Sequence, residues 1–523
     1  MDETKTPTQT ELLFPMENSR TAVKKAQIIR TDGNLVCHPI LPDLKKHLKF
    51  ERRTIGPQPT LEDGSPNWSK ERPVVKRVER LYMDFPQSST LMTMEGFYDE
   101  VVDHYRKAGY HVDIQDRRLP FPAPQLDKAF GFRGGQEKAF RELVTAGRSG
   151  GLKAPTRWGK SVIIINLLRV FPSLQTVIAM PGTNLLRQTS EELKEIFPDR
   201  DIKVMSGSKK KTGDITVCSM DSLHKLDREN TRLLIVDEPH ALASEGRTWL
   251  FSTFPRARRY GVGATWEGRF DKADPVIRGV IGPVLTEVTF SQAVQDGNIC
   301  PIRVYIVRIP FRPNSYKKRE ACMKNMVWEN SFMHYIAAHV CKDIIPQDWQ
   351  TIVFVDREKQ AEGVDAYLGS GAIAMDKRFK NAAESEAFRE RMVRDEIKRC
   401  IATSIYSTGL TFPMLRCMVN ACAGGGSISS VQKPGRLAQI QPGKKRGYVF
   451  DYSLDPALPS DFVENKMWYQ KKSWYNGKWR AAQADCAARR KVYETLGYEI
   501  VDVELTKNEQ GVWIIDQSRL EIE

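Results

Sequence analysis

The stretch "APTRWGKS", residues 154 to 161, sets Gly159, Lys160 and Ser161 in the order that a phosphate cradle needs. Backbone amides of such a loop approach phosphate oxygens closely, the Lys160 ammonium reaches the outer phosphates, and the Ser161 hydroxyl can ligate Mg²⁺. The apolar "VIIINLL" that follows reads as a buried helix whose N-terminus faces the anion. Arg157 is the anomaly, because a glycine is expected there. If that glycine supplies an unusual φ, arginine is strained; if it only keeps the loop slim, a side chain turned to solvent is tolerated.

Further along, "RLLIVDEPHAL" is an apolar run of strand length that ends in Asp237 and Glu238, and Asp237 lies 77 residues after Lys160. A carboxylate at the C-terminal end of a strand can hold Mg²⁺, while its neighbour polarises an attacking water. Two further segments fit the same chemistry. "GVGATWEGR" (261 to 269) is a strand leading into a small-residue turn, and "SVQKPGRLAQ" (430 to 439) carries an arginine that could reach a phosphoryl group across a cleft.

These residues need elements to hold them. Short β-rich runs, "TVIAM", "ITVCSM", "RLLIVDE" and "YGVGAT", alternate with helical stretches, and a second series, "TIVFVD", "RCIATS" and "MVNAC", follows "GNICPIRVYIV". That rhythm predicts two successive parallel α/β domains, over 121–295 and 296–455. Residues 1–120 are expected to form an accessory DNA-binding domain. Parts of its first 60 or so residues are expected to be loosely ordered, with a small α/β module at about 61–120. In that module "MEGFYDEVVDHYRKAG" is expected to be a helix lined by Phe97, Val101, Tyr105 and Ala108 and stopped by Gly109. Residues 456–523 are expected to be an aromatic and basic, mainly helical accessory segment, with a helix from Trp479 to Leu496 capped at Gly497.

The 523 residues are too many for one core, and the composition is that of an ordinary globular protein. No apolar run approaches the ~20 residues a bilayer span needs, and no leader peptide is visible. Nine cysteines without a CxxC pair indicate neither zinc nor a disulfide framework, so a soluble protein of a reducing intracellular compartment is expected. The formal net charge of +14 favours polyanionic partners, nucleic acid first among them.

Taken in order, the segments resemble the motifs of superfamily 2 helicases: "APTRWGKS", "AMPGTNLLRQ", "VCSMDSL", "DEPH" and "GAT" in the first α/β domain, then "TIVFVD", "ATSIYSTGLTFP" and "QKPGRLAQ" in the second. The resemblance spans about residues 125 to 455. "DEPH" and "STGL" look most like phage-encoded recombination and branch-migration helicases of the UvsW and RecG type, which implies a phage origin and a place in the host cytoplasm. Two tandem RecA-like domains clamping ATP and Mg²⁺ are therefore implied. The ATP-binding residues would be Arg133, Gln136, Ala154, Pro155, Thr156, Arg157, Trp158, Gly159, Lys160, Ser161 and Gly409, with Gln136 of "FRGGQ" on the adenine. Lys160, Asp237, Glu238, Gln432 and Arg436 would be catalytic, with Ser161 and Asp237 at the metal. Pro181, Gly182, Arg187, Ser219, Asp221 and Thr403 would grip a DNA backbone, and His240 and Thr265 would couple hydrolysis to motion. The sequence departs from the family at Arg157, at Thr411, where many relatives have an acid, and at Gln439, where the family has a second finger arginine; "GKKRG" (443 to 447) could supply a substitute.

In the C-terminal tract Trp468, Tyr469, Trp474, Tyr475 and Trp479 lie among lysines and arginines. Such a mixture either stacks on bases, Trp474 and Trp479 included, or anchors a helix. The cluster Lys70, Arg72, Lys76, Arg77 and Arg80 is either a duplex-binding surface or an ordinary charged strand face. The expected protein is an ATP-dependent DNA helicase or translocase acting on branched or forked DNA in recombination or replication, as a monomer or weak oligomer. The alternatives are an RNA helicase, a duplex translocase that separates no strands, and a nucleic-acid-binding scaffold with a decayed ATP site.

Overall fold

The computed structural model describes residues 23–57, 59, 73–181, 183–205, 212–226, 228–244, 254–311, 319–375, 378–403, 412–425, 427–456 and 479–523. Among these, two seven-stranded sheets dominate, and every strand pairing in both is parallel. The architecture is α/β, with two tandem RecA-like domains.

In the first lobe the strands run, across the sheet, Ile202–Met205, Ile215–Ser219, Thr176–Met180, Leu233–Asp237, Arg258–Gly263, Gly150–Lys153 and Val284–Glu287. Helices cover both faces of a parallel sheet, so its strands read as continuous apolar runs. Leu233, Leu234, Ile235 and Val236 are accordingly all buried. The strand that leads into the cradle and the strand that ends in Asp237 are separated by one neighbour, Arg258–Gly263. Its register sets Gly263 beside Lys153 and Val262 beside Asp237, so three candidate motifs emerge side by side at one carboxyl edge.

The second lobe repeats the plan with Ile373–Ala374, Arg399–Ala402, Gln350–Phe354, Leu415–Asn420, Gly447–Pro456, Ile302–Phe311 and Glu499–Val503. The last strand was not anticipated. It comes from the C-terminal region, pairs in parallel with Ile302–Phe311, and completes the sheet. The expected helix is present as Trp479–Leu496, with Gly497 at φ 75°. Arg489 on it meets Asp451 at 2.8 Å, and both side chains are almost completely buried. A short hairpin, Leu505–Lys507 with Trp513–Ile515, follows. Of the C-terminal aromatic tract, Trp468, Tyr469, Trp474 and Tyr475 lie outside the described residues.

The N-terminal module is larger than expected. Tyr82–Phe85, Thr90–Met94, Asn34–His38, Lys25–Arg30 and His111–Asp116 form a five-stranded sheet, and Lys49–Ile55 pairs with Val74–Arg80 as a separate two-stranded ribbon. Residues 25 to 55 are therefore folded and extend the module beyond the expected 61–120. The reason is non-local: Ile28, Leu35 and Cys37 are buried only because Lys25–Arg30 pairs with His111–Asp116 far along the chain. The helix Tyr98–Lys107 buries Val101 and Tyr105 as expected, whereas Ala108 is exposed beyond its end. On the ribbon Lys76, Arg77 and Arg80 are exposed; Lys70 and Arg72 lie outside the described residues. No helix of the described residues is long and apolar enough to cross a membrane.

Candidate nucleotide site between the lobes

Ala154 continues the sheet ladder, its amide donating to the Gly263 carbonyl at 3.1 Å, and the chain then turns through the loop into the helix Lys160–Val170. Gly159 has φ 101°, open to glycine alone at no cost, and Arg157 has φ 70°. The unusual backbone that the missing glycine would supply is thus retained with an arginine in place, and the strained alternative holds. A left-handed φ costs an L-residue roughly 1–2 kcal/mol.

Lys160 reaches two partners, the Pro155 carbonyl at 3.4 Å and the Glu238 carboxylate at 3.7 Å. His240 approaches the same carboxylate at 3.3 Å. Burial raises Glu238, but the charges of Lys160 and His240 outweigh it and hold the carboxyl below its ordinary range. Its neighbour goes the other way: burial, then the Glu238 charge, push Asp237 up to about 7 against the pull of Lys160. Ser161 is exposed beside them. Thr265 is buried, and its hydroxyl has no hydrogen-bond partner among the described residues.

The second lobe presses on the loop. Gly435 lies so close to Thr156 that a Cβ there would overlap the threonine hydroxyl and stand 2.8 Å from its Cβ. Arg436, the next residue, is buried, and burial followed by the charge of Arg157 lowers its guanidinium to about 9. Lys444 is lowered to about 8 by burial, with Arg416 and Arg157 acting in the same sense. Arg157 of the first lobe therefore lies near enough to Arg436 and Lys444 of the second for their charges to repel, an arrangement that a polyanion would relieve.

Several expected residues stand differently. Gln136 is completely buried, its amide nitrogen donating to the Trp158 carbonyl at 2.5 Å and its oxygen accepting from the Arg133 amide at 2.8 Å. It braces the loop instead of offering an open face to a base, while Arg133 is exposed with its guanidinium over Gly159. The Trp158 indole is fully buried in the hydrophobic core, so only its backbone belongs to the loop. Gln432 is half-buried on the helix Ser427–Gly435. "GKKRG" supplies no substitute finger. Lys444 donates to the carbonyls of Leu437, Leu415 and Gln439 at 2.6, 2.9 and 3.3 Å, Lys445 pairs with Glu523 at 2.7 Å, and Arg446 pairs with Glu499 at 2.6 Å. Arg416, half-buried beside Lys444, was not singled out from the sequence, because no spacing rule marks a cation that a distant part of the chain approaches.

Of the expected strand-gripping residues, Arg187 is exposed and paired with Glu191 at 2.8 Å, Ser219 bonds Ser222 at 2.9 Å, Asp221 is exposed, and Pro181 and Thr403 are half-buried. Gly182, Gly409 and Thr411 lie outside the described residues, and Trp479 opens its helix.

Residues 129–268 match the family described as type III restriction enzyme, res subunit. A protein named helicase 22 of Sulfolobus islandicus filamentous virus is 24% identical over 361 residues, 61% of this chain and 64% of its own length. The DNA 3'-5' translocase XPB2 of Sulfurisphaera tokodaii is 28% identical over 170 residues, 32% and 37% of the two chains. The match thus spans less than two thirds of either relative. A fragment named as an HsdR subunit of a type I restriction enzyme from Vibrio vulnificus aligns over 89% of this chain and 94% of its own, with a TM-score of 0.52 at 14% identity, a likeness of fold.

Over these stretches the chain is similar to a helicase and a translocase, and its fold is that of two tandem RecA-like lobes. The Lys160 loop and Asp237 lie at the carboxyl edge of the first sheet, where open α/β sheets take their ligands. A divalent cation fits the oxygen donors present there, the half-buried Asp237 carboxylate and the exposed Ser161 hydroxyl.

Proposed function

We propose that this chain is an ATP-driven motor acting on DNA, and that branched or forked DNA is its preferred track. The observation that supports it above all is the seating of Gly435 and Arg436 of one lobe on the Lys160 loop of the other. In this reading the loop amides and Lys160 hold the triphosphate, Asp237 and Ser161 hold Mg²⁺, and Glu238 orients and deprotonates the attacking water. Mg²⁺ supplies neutralisation of charge on the outer phosphates. Arg436 senses the γ-phosphate, so that binding draws the lobes together and hydrolysis releases them. Thr265, on the turn between the strands of Lys160 and Asp237, and His240, beside Glu238, are placed to relay that change.

DNA as the track is supported by the net charge of +14 and by the names of the matched family and of the relative XPB2. Arg187 and Asp221 remain candidate backbone contacts, which read no sequence. That relative is named a DNA translocase, which keeps translocation without strand separation as a second reading. Steady-state ATPase with single-stranded DNA, a fork, a four-way junction and an RNA duplex tests the proposal. DNA-stimulated turnover that is greatest with fork or junction and absent in Lys160→Ala is expected; equal, negligible turnover in both proteins would sink the motor and favour a scaffold.

A further inference from the structure

Phosphoryl transfer calls for a second cation beside Arg436, and the reading above names none. Gln439, where a second arginine is expected, carries a neutral amide. The three cations of "GKKRG" are spent on carbonyls and carboxylates elsewhere. Arg157 is half-buried in the loop itself, between Thr156, on which Gly435 sits, and Trp158, whose carbonyl Gln136 holds. Its backbone is kept at φ 70°, in a turn that glycine would occupy more easily.

The geometry points to Arg157 as a catalytic arginine finger of this chain, delivered from the phosphate loop in place of the absent second arginine of the other lobe. The inference rests on the proposed ATP site and adds a residue to it. Arg157 and Arg436 would take opposite sides of the γ-phosphoryl group, and the same triphosphate would relieve the repulsion between them, which already lowers Arg436. In the step itself the oxygen of water bonds to the γ-phosphorus and its proton passes to Glu238. The bond from that phosphorus to the bridging oxygen breaks, and ADP leaves with the electron pair. The equatorial oxygens gain charge only as this happens, so a guanidinium there accelerates the reaction more than it tightens substrate binding.

Arg157→Gly is the decisive variant, because it restores the residue that the backbone favours and so leaves folding intact. We expect kcat of the DNA-stimulated ATPase to fall roughly a thousand-fold, with ADP affinity within about threefold of wild type. Capture of ADP with aluminium fluoride should be lost and the melting temperature unchanged or raised. Adding Gln439→Arg to Arg157→Gly should return at least about tenfold in kcat, since a guanidinium would again face the phosphate. Turnover of Arg157→Gly within about threefold of wild type overturns the assignment, as does a loss of ADP binding that matches the loss of turnover. Lys160→Ala separates the two levels of the argument. If it is inactive while Arg157→Gly equals wild type, the motor stands and the finger falls; if wild type itself does not turn over, both fall.

Discussion

At the residue scale the site is governed by charge held out of water. Asp237 and Glu238 are neighbours in a buried strand end, and they diverge because only Glu238 meets Lys160 and His240 closely. Asp237 has its folded value, about 7, above that of the unfolded chain. Its contribution to stability is therefore present at low pH and lost as pH rises through about 7. A metal must meet the ionised carboxylate, so binding expels a proton below that pH. The Mg²⁺ concentration for half-maximal ATPase should fall by about tenfold per pH unit between pH 5.5 and 7 and level off above, a dependence that Asp237→Asn should abolish together with turnover.

Single elements carry the interlobe contact. Gly435 closes the helix Ser427–Gly435 against Thr156, and Gly435→Val should push the two lobes apart. ATPase should fall by at least tenfold while each lobe keeps its fold, measured as turnover against unchanged far-ultraviolet dichroism. The helix Trp479–Leu496 holds the second lobe through Arg489, which meets Asp451 and also donates to the Gly424 carbonyl at 3.1 Å, just before the helix that ends at Gly435. Arg489→Met leaves a buried carboxylate with neutral donors from Tyr493, Asn420 and the Tyr452 amide, and should cost about 3–5 kcal/mol in urea unfolding. Arg52 plays a similar part for the N-terminal ribbon, donating to the Ala243 carbonyl at 2.8 Å behind His240 and pairing with Asp271 at 3.1 Å.

For the whole molecule the C-terminal region is a structural part of the second lobe. Glu499–Val503 is an edge strand of that sheet, and Tyr493, Val503 and Ile515 are buried in its cores. Ending the chain at residue 456 should expose the edge of Ile302–Phe311 and make the second lobe the first to be cut in limited proteolysis, with the first lobe surviving. On DNA, the net charge of +14 implies that contacts to phosphates release counterions. The DNA concentration for half-maximal ATPase should rise steeply between 50 and 200 mM salt, on the order of a hundredfold or more, whatever the sequence of the duplex.

The motifs and the α/β rhythm were legible in the sequence because they are local: a loop before an apolar helix, an apolar strand ending in two acids, a helix stopped by glycine. Each of these writes its spacing into consecutive residues. What only the tertiary structure decided depends on residues far apart in the chain. The pairing of Lys25–Arg30 with His111–Asp116 ordered a segment that looks loose by itself. The use of Lys444, Lys445 and Arg446 elsewhere removed them from the site, and the approach of Gly435 to Thr156 brought Arg436 to the loop of Arg157. Burial and charge act through space, so no window of sequence contains them.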